Sequence, residues 1–368
     1  MSSHVDDVIA APMETAIVRG TVLTNICAHR NNFDAVRLLA ALLVLCSHQL
    51  FFLGRSQPEI GGHTLGELAV MMFFVISGYL VAESWYRDPH VVRFLLRRFL
   101  RLWPALAVAT LVIALASALV TSLSLHDYFR GGGVTWLFVV HNLQLRIVYG
   151  LPGVFADGAS AARSAVNGSW WTIPVEMKCY LGLALLGLIG LRRRWFSVIA
   201  LAAVSVLYVQ SLPGHPKGNA AHNLRFLYIG FFLTGVCARQ FFTNILTHRV
   251  AWSGAALALL VGAVVAGRTD AVTWIVLAPL VLIAGSLSVP GVRAAGRFGD
   301  LSYGIYVYAY FVQQLSIRYW PGVRFPAATL AVSMIATAAL AWCSWHAVEA
   351  PALGLKRHLR RWFPDRAA

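Results

Sequence analysis

"NNFDAVRLLAALLVLCSHQLFFLG" (residues 31–54) is apolar enough from Leu38 to Phe52 to sit in lipid, yet it carries Asp34, Arg37 and His48. A segment of this kind crosses a bilayer as a helix, because only a helix satisfies its own backbone hydrogen bonds there. Arg37 and His48 are eleven positions apart, which is three helical turns plus about 20°. Asp34 to His48 falls about 40° short of four turns. All three therefore share one face, with His48 roughly 16 Å further along the axis than Arg37. A snorkelling arginine and a histidine capped by a neighbouring carbonyl would explain each residue singly. The aligned set points instead to a path or site, since ionisable groups inside membranes are rare and usually functional. An imidazole can take a proton from a hydroxyl and return it near neutral pH.

The chain has 368 residues, 58% hydrophobic and 12% charged, with a mean hydropathy of +0.67. Soluble domains carry about 25% charged residues, so the expected fold is all-α, a polytopic membrane helix bundle. Ten apolar blocks are long enough to span: about 33–53, 65–84, 103–122, 170–191, 195–213, 223–241, 250–267, 271–289, 299–319 and 326–349. Turns are marked by Gly61-Gly62, "LRRR" (191–194), "PGHPKGN" (213–219) and "PGVR" (321–324). With the N-terminus inside, the inner segments collect about twice as many lysines and arginines as the outer ones, which predicts cytoplasmic N- and C-termini. The net charge of +15 is then met by lipid headgroups, and no nucleic-acid partner is expected.

Residues 1–30 lack a signal peptide's basic start and cleavage site and are expected to form a loose cytoplasmic tail. A transmembrane domain over 31–350 and a basic cytoplasmic tail over 351–368 complete the division. The five cysteines show neither metal-ligand nor redox spacing, and no metal is expected. The chain shows no internal repeat, which counts against a secondary transporter.

Three further groups of polar residues stand out. In "NGSWWTIPVEMKCYL" (167–181), Glu176 and Lys178 lie within two turns of a span that begins outside. Glu176 could reach His48 and fix its tautomer, or form an ion pair with Lys178 or an arginine. Trp170 and Trp171 read as interfacial anchors, and Asn167-Gly168-Ser169 is a weak glycosylation match. "RFLLRRFLRLWP" (93–104) gathers Arg93, Arg97, Arg98 and Arg101 at the inner surface, where guanidinium forks suit phosphate groups. Glu349 in "SWHAVEAPAL" (344–353) falls at the same depth and could pair with them. In "SYGIYVYAYFVQQ" (302–314), Tyr303, Tyr306, Tyr310, Gln313 and Gln314 form either a wetted stripe or aromatic packing inside the bundle.

Taken together these pieces resemble the membrane-bound acyltransferase-3 family over nearly the whole chain after residue 31. The first helix matches through Asn32-Phe33-Asp34, Arg37 and His48. "FFVISGYL" (73–80), "RRFLRLWP" (97–104), "LPGVF" (151–155), "VNGSWWTIPVEMKCYL" (166–181), "LSYGIYVY" (301–308) and "WHAVEAP" (345–351) follow in the family's order. Two positions depart from the pattern. Met71 or Met72 stands where many members have an acid, and Ala309 where many have a histidine.

The resemblance implies a multi-pass O-acyltransferase of the bacterial inner membrane that uses acetyl-CoA as acyl donor. It would modify a hydroxyl of a cell-surface glycan, exopolysaccharide, lipopolysaccharide or lipid-linked oligosaccharide. Two alternatives remain: a small secreted acceptor such as a macrolide, or a proton-coupled transporter or flippase. Some members add an extracytoplasmic hydrolase-like module, and none is expected in the short stretch after the tenth block. On the enzyme reading His48, Arg37 and Glu176 are catalytic, and Arg97, Arg98 and Arg101 hold coenzyme A. Asp34, Asn167, Ser169, Trp171, Tyr303 and Glu349 contact substrate or support the site. His48 would act as base on the acceptor or would carry the acyl group transiently.

Overall fold

The computed structural model describes residues 31–156, 161–190, 193–216, 218–319 and 326–364. The expected tail over 1–30, the turn at 321–324 and part of "LRRR" lie outside the described residues. Most of the described residues are helical. Ten main helices coincide with the ten apolar blocks: α1 (Phe33–Phe52), α2 (Leu65–Arg87), α3 (Val91–Ser117), α4 (Thr172–Ile189), α5 (Trp195–Ser211), α6 (Ala220–Thr247), α7 (Arg249–Val265), α8 (Thr269–Ser286), α9 (Ser302–Tyr319) and α10 (Pro326–Ser344). Five are long and apolar enough to cross a membrane, the last of them running on to Trp362. A sixth arises if Ala271–Ser286 and Pro290–Arg297, bent by 88°, count as one span. The α5 and α7 segments are shorter, and α6 and α9 carry more polar residues.

The turn into α2 follows from its glycines. Gly61 and Gly62 adopt φ of 62° and 79°, which closes a two-residue hairpin between β1 (Glu59–Ile60) and β2 (His63–Thr64). Thr64 then caps α2 through a capping box with Glu67.

One boundary differs from the sequence expectation. The third helix starts at Val91 rather than near residue 103, so Arg93, Arg97, Arg98 and Arg101 lie on its first turns instead of ahead of it. Nothing between 91 and 103 breaks a helix, His90 caps its start by accepting from the Arg93 amide, and the arginines have partners inside the bundle.

Close crossings depend on small residues. Gly78 of α2 lies against the Phe232 carbonyl of α6, where an added Cβ would meet the oxygen at 1.9 Å, and Gly235 lies reciprocally against the Val75 carbonyl at 2.2 Å. Gly78→Val is expected to cost about 3 kcal/mol, the upper end of ordinary overpacking. A folded-fraction assay in detergent should register it.

Helices α1 and α9 run side by side in the same direction. Asp300, just before α9, meets Arg37 near the start of α1. Gln313 donates to the Leu45 carbonyl at 2.7 Å and to the Gln49 side chain at 2.9 Å. The entry to α4 is bolted onto the middle of α9, where Trp170 is fully buried and its indole donates to the Val307 carbonyl at 2.9 Å. Trp170 is thus a core residue and not the interfacial anchor read from the sequence. Trp171 packs on Tyr228, with ring centroids 5.5 Å apart.

Candidate active site

Helices α1, α2, α3, α4 and α9 enclose a cavity of about 80 Å³. Arg37, Arg98 and Arg101 occupy one end. Ser77, Glu176, Tyr180 and Tyr303 line the middle, with Thr172 and Tyr306 beyond, and Val70, Phe73, Phe74, Val81, Leu102 and Ile173 make the walls apolar. A wider vestibule of about 400 Å³ adjoins it, lined by Asp34, Glu83, Ser84, Arg87, Asp88, Arg97 and Arg360 among others. Arg37 is a wall of both spaces.

The charges at this end are balanced unevenly. Asp300 accepts from Arg37 at 3.3 Å and closely from Arg101, and it also takes the Ser302 hydroxyl. Arg101 reaches Glu349 at 3.7 Å and lies over the Tyr303 ring at 5.7 Å. Glu349 itself is buried and receives the Ser344 hydroxyl at 3.1 Å. Asp88 binds both Arg93 and Arg97. Arg98 donates to the Ser84 hydroxyl at 3.0 Å, and among the described residues it has no ion-pair partner. The Nε atoms of Arg97 and Arg98 are buried without hydrogen-bond partners. Such spare donors on a concave surface suit an incoming phosphate group.

Asp88 lies between α2 and α3. Although burial raises its pKa, hydrogen bonds from Arg93 and Arg97 hold the carboxyl at about 2, below the ordinary 3.8. The folded value is depressed, so the stabilisation is fully present above the ordinary pKa and fades as pH falls from about 4 to 2. Thermal unfolding in detergent should therefore show a midpoint drop in that window for wild type, and a smaller drop for Asp88→Asn.

Glu176 accepts from the Ser77 hydroxyl at 3.1 Å and closely from the Tyr180 hydroxyl, and those two hydroxyls are 3.1 Å apart. Lys178 is exposed on the other side of α4, so the Glu176–Lys178 pair weighed from the sequence does not form. Tyr306 donates to the Ser169 carbonyl at 2.6 Å and meets the Thr172 hydroxyl at 2.6 Å. Tyr303 donates to the Leu102 carbonyl at 2.8 Å. The tyrosine stripe therefore faces the bundle interior, and its Tyr303 and Tyr306 border the cavity.

His48 lies further along α1, edge-on to Tyr310 with ring centroids 5.0 Å apart. Its Nδ1 is buried with no hydrogen-bond partner. His48 is not among the residues lining the cavity, and no described contact joins it to Glu176. The cavity instead brings Glu176 together with Arg37, Arg98 and Arg101. Asp34 stands 3.9 Å from Arg37 at the vestibule. Asn167 is fully buried and donates to the Val148 carbonyl at 3.1 Å, while Ser169 donates to the Tyr306 carbonyl at 3.3 Å. The two departures from the family pattern are core residues, Met71 among helices and Ala309 against Ala41 and Ala341.

Sequence reasoning passed over Asp300, Ser77 and Tyr180. Asp300 had a usable signal: it precedes Ser302 in "GDLSYG" at the depth of Arg37, and its carboxylate accepts from the Ser302 amide at 3.3 Å as an N-terminal cap.

Residues 30–346 match the family described as the acyltransferase domain of acyltransferase family 3. Nodulation protein 10 of Rhizobium leguminosarum biovar viciae is 31% identical over 358 residues, covering 90% of this chain and 95% of its own. The O-acetyl transferase of Shigella phage Sf6 is 28% identical over 359 residues, covering 91% and 98%. Peptidoglycan O-acetyltransferase OatA of Listeria monocytogenes is 26% identical over 163 residues, covering 41% of this chain and 23% of its own. No solved structure matches. The chain belongs to acyltransferase family 3.

Proposed function

We propose that this membrane O-acyltransferase moves an acetyl group from cytoplasmic acetyl-CoA to a hydroxyl of a cell-surface or exported glycan. The observation that carries the reading is a vestibule, with four arginines set among three carboxylates, that adjoins at Arg37 a narrow apolar-walled cavity inside the bundle. That shape suits a donor with a phosphate-rich head and a thin thioester arm. The names of the phage and Listeria relatives, both O-acetyl transferases, support the acyl group and the glycan class.

On this reading the ten helices cross the membrane with the arginine end inside. Arg97, Arg98 and Arg101 hold the donor phosphates, and the thioester arm passes Arg37 toward His48. The buried, unpartnered Nδ1 of His48 supports a role in proton transfer rather than a structural one. His48 takes the proton of the acceptor hydroxyl as that oxygen attacks the thioester carbonyl. The C–S bond breaks, and the coenzyme thiolate leaves with the proton returned from the imidazolium. Transient acylation of His48 is the alternative route through the same residue. Glu176, held by Ser77 and Tyr180, supplies negative charge along the passage and favours the imidazolium from a distance.

Mass spectrometry of surface and secreted glycans from a deletion strain tests this directly. Loss of an acetyl group, restored by the wild-type chain, is the expected result. Unchanged glycans would refute the acceptor class.

A further inference from the structure

The chain beyond residue 346, where the family match ends, is docked onto the arginine end of the bundle. After α10 it makes a π-turn (Trp345–Glu349), a short helix (Ala350–Gly354), a 3₁₀ turn (Leu355–His358) and a last helical turn (Leu359–Trp362). Leu359 is 2% exposed. Arg93, equally buried, donates to the Phe363 carbonyl at 2.7 Å while holding Asp88. The segment is thereby strapped to the turn between α2 and α3.

One cation of this strap, Arg360, faces the vestibule, and half-buried Lys356 stands four residues before it. Arg360 lines the vestibule together with Arg37, Arg87 and Arg97. Lys356 lies in the repulsive field of Arg98, Arg101, Arg97 and Arg37. Among the described residues neither Lys356 nor Arg360 forms an ion pair, and the buried Nε atoms of Arg97 and Arg98 are unpartnered. Asp300 and Glu349 already serve Arg37 and Arg101, and Asp88 serves Arg93 and Arg97. Glu83 serves Arg87 and Asp34 stands by Arg37, so among the described residues Arg98, Lys356 and Arg360 are the cations here left to take a polyanion.

We propose that Lys356 and Arg360 bind the phosphates of the acyl donor, so that the C-terminal strap forms the outer wall of the donor site. The proposal rests on the acyl-CoA reading above. Phosphate groups of lipids share this chemistry, so the test must separate the two sources.

The experiment uses the full-length protein, purified in a neutral, phospholipid-free detergent, and compares wild type with Lys356→Ala/Arg360→Ala. The donors are acetyl-CoA and acetyl-pantetheine, the second with the same thioester but no phosphate. The expected result is a KM for acetyl-CoA raised about tenfold or more, kcat within about twofold, and kinetics with acetyl-pantetheine equal in both proteins. Lys356→Arg should keep the wild-type KM. An unmoved KM for acetyl-CoA, as lipid-headgroup binding requires, overturns the proposal, as does an equal rise for both donors. Absence of acetyl-CoA turnover in wild type refutes the donor reading itself, and this proposal with it.

Discussion

His48→Ala should lower acyl transfer by at least about 100-fold, the range removed when a positioned general base is lost, while leaving the fold in place. The residue's surroundings separate these two outcomes. Its Nδ1 makes no hydrogen bond, so the substitution leaves no buried polar partner stranded. The packing lost is an edge contact with Tyr310 and a looser one with Phe52, each worth about 1 kcal/mol at most. A structural histidine would behave the other way, with its loss destabilising the bundle and activity falling in proportion to the folded fraction. Acetyl transfer measured per folded molecule, with the unfolding midpoint taken on the same preparation, distinguishes the two. Near-wild-type transfer by a folded His48→Ala protein removes His48 from the chemistry.

Asp300→Ala should be the most destabilising polar substitution at the arginine end. Asp300 is the shared carboxylate of Arg37 and Arg101 and caps the start of α9 through Ser302. Removing one partner of a buried charge network costs about 3–5 kcal/mol, because the remaining charges stay desolvated without compensation. Here two guanidiniums from α1 and α3 are left with only longer contacts, Arg37 to Asp34 at 3.9 Å and Arg101 to Glu349 at 3.7 Å. Unfolding in detergent should occur at markedly lower temperature, and KM for the acyl donor should change as Arg37 and Arg101 reorient. Asp300→Asn, which keeps the shape and the cap, should recover part of the stability and little of the arginine alignment. Equal stability of Asp300→Ala and wild type would mean that the three helices are held at this end by something other than this carboxylate.

Much of this arrangement was legible in the sequence, because lipid leaves few choices. A long apolar run must be a helix, and helical period alone puts Arg37 and His48 on one face. Along that face Arg37 meets Asp300, just before α9, and His48 meets Tyr310 on α9. The arginines before Trp103 and the acid at Glu349 were likewise visible, and Arg101 with Glu349 is among the pairs formed.

Partner choice was less legible. Glu176 could be placed by depth but not by rotation against another helix, and it lies with Ser77, Tyr180 and the arginines rather than against His48. Trp170 resembled an anchor because a tryptophan at the end of an apolar block usually is one. Only tertiary packing reveals that α4 enters the bundle there and offers its indole to Val307. The start of α3 was misplaced because arginines normally mark a membrane boundary, whereas here Asp88 and Asp300 let the helix carry them inward.

On the proposed mechanism one passage joins the arginine end of the bundle to His48 and carries the acyl group along the Arg37 face. Its most direct test is an experimental structure of the full chain with a non-transferable acyl-CoA analogue. The expected structure has phosphates on Arg97, Arg98 and Arg101, the thin arm passing Arg37, and the acyl carbonyl about one hydroxyl's width from the imidazole, roughly 3–6 Å. An analogue seated elsewhere, or a His48 ring walled off from the bound acyl end, would contradict it.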